Sequence, residues 1–329
     1  MKNILVTGIT GQDGKYLCKS LLNKEKEVKI YGVTRDLKQS NKFYSDLEYI
    51  GCKNTHYIEL INLNLEDFDS VFKFIKDTKP NQIFNLTGPS SVYKSLNRSE
   101  NTKNIIKLIF DNLINSLIKD SNFCKFFQAS SSELFAKNTN YPFSETSALS
   151  TNSPYGEAKL YCHNKCLELA INYDWQIVSG IMFNHESGFR EESYLVSKII
   201  NTALNIKNKK TEILTLGSLD YTRDWLHAED TVKAVVEICN NPKNSSYIIG
   251  SGEGNTIKEL VKIIFSYFNL DYQKYVKIDP SFLREGDVLT IISNPAKLKK
   301  DYSWKNQYSF ESMLEEIIEF KINSKNRYL

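Results

Sequence analysis

The sequence lacks a long apolar run and carries little net charge. No hydrophobic stretch reaches the roughly 18–20 residues that cross a bilayer, so the sequence excludes a protein with transmembrane helices. The formal net charge is +3 in 329 residues, and lysines are interleaved with acidic residues, which argues against a nucleic-acid partner. Met1-Lys2-Asn3 leads directly into an apolar segment with no signal peptide. We therefore expect a cytoplasmic protein that binds neither a membrane nor a nucleic acid.

Glycine, proline and paired cysteines are also scarce. The 14 glycines and 7 prolines reflect compositional bias more than function, because the sequence contains no repeat or low-complexity segment. None of the six cysteines forms a Cys-x-x-Cys pair. Cys162 and Cys166 lie four residues apart with His163 between them, but two further ligands are missing. We predict reduced thiols and no bound metal.

Short apolar runs alternate with helical patterns through the first half of the chain. Strands are predicted at residues 3–7, 28–33, 56–60, 83–86, 125–129 and 176–183. Helices are predicted at residues 13–22, 67–76 and 102–118. Strands that alternate with helices indicate an α/β fold, in which a doubly wound parallel sheet is covered on both faces and has right-handed crossovers.

A glycine triplet follows the first predicted strand. Gly8, Gly11 and Gly14 would let the backbone turn tightly and let a pyrophosphate approach the N-terminus of the next helix. This arrangement predicts a Rossmann-type dinucleotide site. Its expected cofactor contacts in this turn are Gly8, Thr10, Gly11, Gln12, Asp13 and Gly14.

The end of the second predicted strand indicates which dinucleotide binds. NAD sites place a carboxylate there for the ribose 2′-hydroxyl, whereas NADP sites favour arginine. Thr34 stands at the carboxylate position, and Arg35 can pair with a 2′-phosphate. We predict NADP, with NAD as the alternative because Asp36 follows.

The pattern changes after about residue 185, where shorter elements appear. Thr256-Ile257-Lys258-Glu259 has the capping-box signature of a helix start. We predict an NADP-binding Rossmann domain over residues 1–185 and a smaller α/β lobe for the substrate over residues 186–329. Part of residues 227–250 is expected to rejoin the first domain.

Tyr155 and Lys159 form the most informative pair. A spacing of four places both on one face of a helix. The ammonium is expected to lower the pKa of Tyr155 from its ordinary value of about 10, so that the phenolate can take a proton from an alcohol. Ser131 and Glu133 lie upstream. A dinucleotide site, an alcohol base and an additional carboxylate together indicate an oxidation with further acid–base chemistry.

These motifs resemble the extended short-chain dehydrogenase/reductase family, and within it the GDP-mannose 4,6-dehydratases. The resemblance runs from residue 2 to about residue 304. The segments that carry it are 8–17, 127–134, 153–156, 158–161, 180–187, 223–225 and 227–228. Because these motifs are long and occur in order, they are far more specific than a single glycine pattern.

The resemblance implies a 4,6-dehydration of a nucleotide sugar. Tyr155 would take the proton of the C4 hydroxyl as hydride leaves C4, while Ser131 orients that hydroxyl. Glu133 would move the C5 proton to the C6 hydroxyl, which leaves as water, and hydride returns to C6. Lys159 would also hold the cofactor ribose. The product is a 4-keto-6-deoxy sugar.

The resemblance also implies further binding residues. Asn64 and Leu65 would lie near the adenine, and Leu86 and Gly88 near the nicotinamide ribose. Arginines suit the substrate diphosphate, because the guanidinium fork pairs with phosphate oxygens. The expected substrate contacts are Ser91, Ser132, Asn184, Lys198, Arg223, Arg284 and Asp287, with residues 185–187 beside Asn184.

Two segments depart from the family pattern. GDP-mannose enzymes typically have Ala-Gln-Ser-His-Val where this chain has residues 88–92, Gly-Pro-Ser-Ser-Val, near the hexose. They also have Pro-Arg-Arg-Gly where this chain has residues 188–191, Gly-Phe-Arg-Glu, a segment that helps to bind the cofactor and neighbouring subunits in relatives. GDP-mannose, GDP-N-acetylglucosamine and a GDP-heptose therefore stay open as substrates in bacterial glycan biosynthesis. A homodimer or homotetramer is expected.

Two other functions stay open. A nucleotide-sugar C4 epimerase or reductase would use Tyr155 and Lys159 but would need no acid at position 133. A non-catalytic dinucleotide-sensing protein would tend to lose both Tyr155 and Lys159.

Overall fold

The central feature of the molecule is a parallel sheet. The computed structural model describes residues 1–24, 27–88, 99–211, 213–283, 286 and 288–327, without the side chains of residues 99, 100 and 325–327. The strands of the sheet are β1 (Lys2–Thr7), β2 (Val28–Val33), β3 (Ile58–Ile61), β4 (Gln82–Asn85), β5 (Lys125–Ser131), β6 (Ile177–Met182) and β11 (Ser246–Ile249). Their order across the sheet is β11-β6-β5-β4-β1-β2-β3.

Helices cover both faces of this sheet. The helices are α1 (Gln12–Lys24), α2 (Ser40–Tyr49), α3 (Phe68–Thr78), α4 (Ser99–Lys119), α5 (Pro154–Tyr173), α6 (Leu195–Lys207), α7 (Ala228–Asn240), α8 (Ile257–Tyr267), α9 (Tyr272–Tyr275), α10 (Ala296–Tyr302) and α11 (Phe310–Arg327). Helices α1, α2 and α7 bury apolar side chains on one face of the sheet, and α3, α4 and α5 do so on the other. The prediction of a doubly wound parallel sheet is confirmed.

The strand sequences explain why the sheet lies in the centre. The residues of β4 and β6 are buried throughout, as expected of parallel strands that are covered on both faces. The strand order reverses between β1 and β4, whose residues pair from Ile4 opposite Gln82 to Thr7 opposite Asn85. A ligand crevice forms at such a switch point, outside the carboxyl ends of the strands.

Short strands dominate the chain after β6. They are β7 (Asn184–Glu186), β8 (Leu214–Leu216), β9 (Thr222–Arg223), β10 (Trp225–His227), β12 (Asn255–Thr256), β13 (Val276–Ile278) and β14 (Thr290–Ile291). Single-turn 3-10 helices occur at Leu37–Gln39, Thr55–Tyr57, Ser132–Phe135 and Pro280–Phe282. The capping box at Thr256 and Glu259 is confirmed, because both of its reciprocal hydrogen bonds are present.

Helices α6, α8 and α11 pack around a separate set of buried apolar residues, here called the C-terminal cluster. Strand β11 nevertheless pairs with β6 in the central sheet, so residues 246–249 return to the first half of the molecule. The domain boundary at residue 185 stays a prediction.

Two observations concern the absences expected from the sequence. Within the residues described, no helix is both long and apolar enough to cross a membrane. The same residues contain no group of three or more His, Cys, Asp or Glu side chains arranged to hold a metal ion. All six cysteines are buried free thiols.

Candidate active site

Helix α5 begins at the site and brings Tyr155 and Lys159 into it. The Oγ atom of Ser153 caps the helix by accepting a hydrogen bond from the Gly156 amide at 3.0 Å, and Pro154 occupies the first turn. Both are favoured start signals. Tyr155 and Lys159 are 8% and 3% exposed, so the two side chains lie on the buried face of the helix, as the spacing predicted.

The ammonium of Lys159 lies between two strand ends. It donates a hydrogen bond to the carbonyl of Ala129, on β5, at 2.8 Å, and lies 5.6 Å from the centre of the Tyr155 ring. A Cβ atom at Gly88, which follows β4, would lie 3.7 Å from the same Nζ atom. Gly88 has a φ of +149°, a conformation that favours glycine. Lys159 and Gly88, both predicted cofactor contacts, are therefore neighbours.

The pKa of Tyr155 moves in the direction opposite to the prediction. Burial raises the pKa of Tyr155 to about 12, while the hydrogen bond from Ser131 opposes this and the charge of Glu133 adds to it. Arg190 also acts to lower the pKa. Burial lowers the pKa of the Lys159 ammonium itself. The expected lowering of the Tyr155 pKa is wrong for the protein alone, because removing the phenol from water outweighs the hydrogen bond of Ser131 and the charge of Arg190.

Ser131 and Glu133 reach Tyr155 from the end of β5. Ser131 caps the 3-10 turn at Ser132–Phe135, and its Oγ atom accepts from the Glu133 amide at 3.3 Å. Ser131 is hydrogen-bonded to the Tyr155 phenol, and the charge of Glu133 acts on the same phenol. Ser132, a predicted substrate contact, is 6% exposed. The end of β5 thus brings a hydroxyl to the phenol and a carboxylate within range of its charge.

The glycine turn between β1 and α1 is closely packed. Gly8 has a φ of +71°, and a Cβ atom there would lie 3.1 Å from the carbonyl oxygen of Leu86. At Gly14 a Cβ atom would lie 2.2 Å from the carbonyl oxygen of Ile9, which explains the glycine at the start of α1. Gly11 donates its amide to the carbonyl of Gly8 at 3.1 Å. The turn therefore presents backbone rather than side chains at the N-terminus of a helix, where a pyrophosphate binds.

Gln12 and Asp13 connect this turn to β7. The Gln12 side chain donates to the carbonyl of His185 at 3.0 Å and accepts from Ser187 at 2.9 Å. The Nε2 atom of His185 lies 3.1 Å from the Asp13 carboxylate. Residues 185–187 were expected beside the substrate. In the structure, the side chains of His185 and Ser187 contact Asp13 and Gln12 at the start of α1, and their place beside the substrate stays a prediction.

The Asp13–His185 contact is a partly buried ion pair. Burial alone would lower the pKa of His185, but the charge and hydrogen bond of Asp13 raise it above its ordinary value. Burial would likewise raise the pKa of Asp13, but the charge and hydrogen bond of His185 bring it below its ordinary value. His185 also donates from Nδ1 to the carbonyl of Phe183 at 2.7 Å. The imidazolium form therefore satisfies both ring nitrogens.

Arg190 is a site residue that the sequence analysis missed. Its Nε atom lies 3.5 Å from the Glu186 carboxylate, and its guanidinium lies 4.1 Å from the centre of the Tyr194 ring. Its charge acts on both Tyr155 and Asp13. The signal was the arginine retained in Gly188-Phe189-Arg190-Glu191, a segment interpreted from the sequence only as a departure from the family pattern.

The residues around the glycine turn fit a dinucleotide. Asp13 Oδ1, Thr87 Oγ1 and Arg190 Nε are buried atoms with no hydrogen-bond partner among the described residues, so polar groups remain available around a turn that presents backbone amides. Asn64 forms a local turn by accepting from the Glu66 amide. Leu65 is buried. Leu86 packs against the core that lies beside α1.

The end of β2 provides the position that distinguishes the two dinucleotides. Thr34 is 7% exposed, while Arg35 is exposed. The Asp36 carboxylate is engaged locally, accepting from the Lys38 amide at 2.9 Å and from the Gln39 side chain at 3.2 Å. Asp36 thus caps the following turn, and the Arg35 side chain beside it faces solvent.

The predicted substrate contacts within the described residues lie on several different elements. Asn184 begins β7 and is half-buried. Lys198, on α6, donates to the carbonyl of Thr215 at 2.9 Å, and its ammonium lies 5.2 Å from the centre of the Phe282 ring. Arg223 donates from Nη1 to the carbonyl oxygens of Thr222 and Leu289, at 2.9 and 3.1 Å. Predicted contacts Ser91, Arg284 and Asp287 lie outside the described residues.

The fold and these contacts define a class of protein. A parallel sheet with a glycine turn at its switch point and a buried Tyr-x-x-x-Lys pair beside a serine and a carboxylate is the arrangement of an extended short-chain dehydrogenase/reductase. Solved structures share the fold. A UDP-glucose 4-epimerase from Thermotoga maritima has a TM-score of 0.84 at 20% identity, over 98% of this chain and 99% of that one. A dTDP-glucose 4,6-dehydratase from Bacillus anthracis, in complex with NAD, has a TM-score of 0.83 at 19% identity, over 99% and 98% of the two chains.

Sequence comparison narrows the class to one family. The family described as GDP-mannose 4,6 dehydratase matches residues 5–317. GDP-mannose 4,6 dehydratase 2 of Arabidopsis thaliana is 31% identical, over 97% of this chain and 86% of the relative. The human GDP-mannose 4,6 dehydratase is 30% identical, over 95% and 90% of the two chains. The chain belongs to the GDP-mannose 4,6-dehydratase family, as the sequence motifs indicated, and the protein is an enzyme of this dehydratase class of lyases.

Proposed function

We propose that the protein is a GDP-sugar 4,6-dehydratase that forms a GDP-4-keto-6-deoxy sugar with NADP. Family membership across nearly the whole chain supports a GDP-linked substrate. The observation that carries the reaction type is the position of Glu133 in the turn that Ser131 caps, where the Glu133 amide donates to the Ser131 hydroxyl at 3.3 Å; its charge also acts on the buried Tyr155 phenol. An alcohol base alone is enough for an oxidation, and the neighbouring carboxylate supplies the second acid–base group that a dehydration needs.

Each polar group at the sheet edge has one task. Ser131 orients the C4 hydroxyl of the sugar, and Tyr155 takes its proton. Bound NADP supplies the acceptor for the C4 hydride, the donor that returns it to C6, and a positive charge. Glu133 takes the C5 proton, which the C4 ketone makes acidic, and passes it to the C6 hydroxyl so that water leaves. When hydride returns to C6, the proton that Tyr155 took from the C4 hydroxyl goes to C5. Lys159 holds the hydroxyls of the cofactor ribose.

Arg35 is the basis for proposing NADP over NAD. An exposed guanidinium pairs well with a 2′-phosphate, and Thr34 offers no carboxylate to a ribose 2′-hydroxyl. Because Asp36 is engaged with Lys38 and Gln39, it leaves Arg35 available. The prediction is a lower dissociation constant for NADP than for NAD, measured by titration of the protein with each.

The remaining site assignments are part of the same proposal. Gly8, Gly11 and Gly14 would approach the pyrophosphate. Arg223 and Lys198 would face the substrate diphosphate, because both are cations on the elements that follow residue 185. Residues 1–185 would bind the cofactor and residues 186–329 the nucleotide sugar, in a homodimer or homotetramer.

The test is a substrate panel read by mass spectrometry. The purified protein is incubated with GDP-mannose, GDP-N-acetylglucosamine, a GDP-heptose, UDP-glucose and dTDP-glucose. Loss of one water from one GDP-sugar, with no net consumption of cofactor, is expected. A C4 epimer or a reduced sugar without loss of water would overturn the dehydratase and favour the epimerase or reductase, and no conversion at all would favour a sensing protein.

Glu133→Gln examines the mechanism within the same panel. The amide cannot carry the C5 proton, so dehydration is expected to fall by about 10²–10⁴-fold, while oxidation at C4 still produces reduced cofactor. Glu157→Gln is the matched control, because Glu157 lies on α5, is exposed and pairs with Lys103. Full dehydratase activity in Glu133→Gln would show that this carboxylate is not the C5 base.

A further inference from the structure

The C-terminal end of α11 contacts the segment that carries Arg190. Phe320 lies against this segment so closely that a Cβ atom at Gly188 would be 2.1 Å from its ring. The centres of the Phe320 and Phe189 rings are 4.8 Å apart in an edge-to-face arrangement. Glycine at position 188 is therefore required by the position of Phe320. The two belong to one packing unit, although they are far apart in sequence.

The main chain of Arg190 is held by two hydrogen bonds from the same half of the molecule. Lys321, which is 9% exposed, donates from Nζ to the Arg190 carbonyl at 2.8 Å. Ser197, on α6, donates to the same oxygen at 3.0 Å. A carbonyl that accepts two hydrogen bonds has little freedom to rotate. The direction of the Arg190 side chain is therefore fixed from α6 and α11.

Phe189 connects this contact to the glycine turn. The centre of its ring is 5.8 Å from that of Tyr16 and 4.3 Å from the ammonium of Lys15, and both residues lie in the first turns of α1. Lys15 is in turn paired with the buried Asp46 of α2 at 2.9 Å. The helix that begins at the glycine turn is thus packed directly against residue 189.

Phe320 also contacts helix α2. The centre of its ring is 4.8 Å from that of Tyr49, the last residue of α2. Helix α2 follows Arg35 and Asp36 in the chain, and Tyr49 lies at the end of the helix that is farther from them. Phe320 therefore bridges the Arg190 segment and the C-terminal end of α2.

We propose that Phe320 and Lys321 are positioning residues for the cofactor site. They fix Arg190 beside Glu186, where its charge assists dinucleotide binding. The same charge acts on the Tyr155 phenol and lowers its pKa. Neither side chain contacts the cofactor. The proposal rests on the proposed function, because the ligand in question is the nicotinamide dinucleotide.

The test compares variants of α11 in the full-length protein. Lys321→Met keeps the length of the side chain but removes the hydrogen bond to the Arg190 carbonyl, and Phe320→Leu removes the aromatic edge. We expect NADPH, titrated by its fluorescence, to bind about 10-fold more weakly to Lys321→Met, because one hydrogen bond from a charged donor is lost. Phe320→Leu should weaken binding to a similar extent, because the packing against Gly188 and Phe189 is lost. We also expect the pH at which turnover reaches half its maximum to rise, because Arg190 no longer assists ionisation of Tyr155.

Two controls separate positioning from stability. Ile317→Ala creates a cavity in the C-terminal cluster, where Ile317 is fully buried, so its unfolding temperature should fall while NADPH affinity stays within about 2-fold of the wild type. Lys321→Arg retains a donor and should restore most of the affinity. Wild-type affinity and an unchanged pH profile in Lys321→Met and Phe320→Leu would overturn the proposal and leave the proposed function intact.

The two proposals fail in different ways. A wild-type protein that binds NADPH but dehydrates no GDP-sugar would overturn the function, while the affinities of the variants would still decide the positioning role. A wild-type protein that binds no NADPH would overturn both.

Discussion

Tyr155 and Lys159 lie on a helix of 20 residues and are 8% and 3% exposed, whereas Arg223 lies on a strand of two residues. Side chains next to Arg223 and Lys198, two of the predicted substrate contacts, face solvent. Phe282, beside Lys198, is 58% exposed, and Leu289, whose carbonyl accepts from Arg223, is 57% exposed. The chemical end of the proposed site is therefore enclosed, while the recognition end is more open.

This difference follows from the fold. Parallel strands all end at the same edge of the sheet, so the ends of β1, β4 and β5 bring the glycine turn, Gly88 and Ser131 close together. The recognition end has no such frame, and Lys198 and Arg223 instead donate to main-chain carbonyls. The enclosed end should therefore determine the rate of the reaction, and the open end should determine which sugar nucleotide binds.

The largest effect should come from the enclosed end. Tyr155→Phe removes only the phenolic hydroxyl, and kcat should fall by about 10³-fold, because no other group can take the C4 proton. NADPH affinity and the unfolding temperature should change little. The measurement is steady-state turnover with the GDP-sugar that the panel selects, together with a thermal melt.

Tyr161→Phe is the matched control for this variant. Tyr161 lies six residues further along α5 and donates its hydroxyl to Asp111 at 2.9 Å, outside the site. Its variant should keep wild-type kcat. Equal losses in the two variants would show that a phenol on α5 matters for packing and not for proton transfer.

The sequence predicted the enclosed end better than the open one. Apolar runs and the spacing of Tyr155 and Lys159 are local signals, and the sheet and the helix face follow from them. The contact between Asp13 and His185 joins residues 172 positions apart, and no local pattern encodes it. The direction of the Tyr155 pKa could not be predicted either, since it depends on burial by the whole fold. The partial burial of Arg190 also depends on the whole fold, so no local pattern could predict it.

A smaller effect is expected at the open end. Arg223→Gln removes a cation that would pair with the diphosphate, and KM for the GDP-sugar should rise by about 10-fold while kcat stays within a few-fold of the wild type. Lys277→Gln, which changes an exposed lysine on β13, should alter neither constant. A fall in kcat without a change in KM would place Arg223 with the chemical groups and contradict the division between the two ends.

The smallest effect concerns the contact that ties β7 to the glycine turn. His185→Gln should lower the free energy of unfolding by about 1.5 kcal/mol at pH 6, because a charge-assisted hydrogen bond to Asp13 is lost. The raised pKa of His185 means that its contribution is complete below its ordinary value of 6.5 and is lost as the pH rises through the folded-state pKa. The lowered pKa of Asp13 means that its contribution is lost only at acidic pH. Denaturant titrations at pH 6 and pH 9 should therefore show a gap between wild type and variant that narrows at pH 9.

His163→Gln provides the comparison for that pH dependence. His163 is buried with its Nδ1 atom 2.9 Å from the Ser179 hydroxyl, and burial lowers its pKa to about 4. The imidazole is therefore neutral from pH 6 to pH 9, and the gap between wild type and His163→Gln should stay constant across that range. If His185→Gln behaves in the same way, His185 is a neutral hydrogen-bonding residue, and the glycine turn is held by hydrogen bonds from β7 without an ion pair.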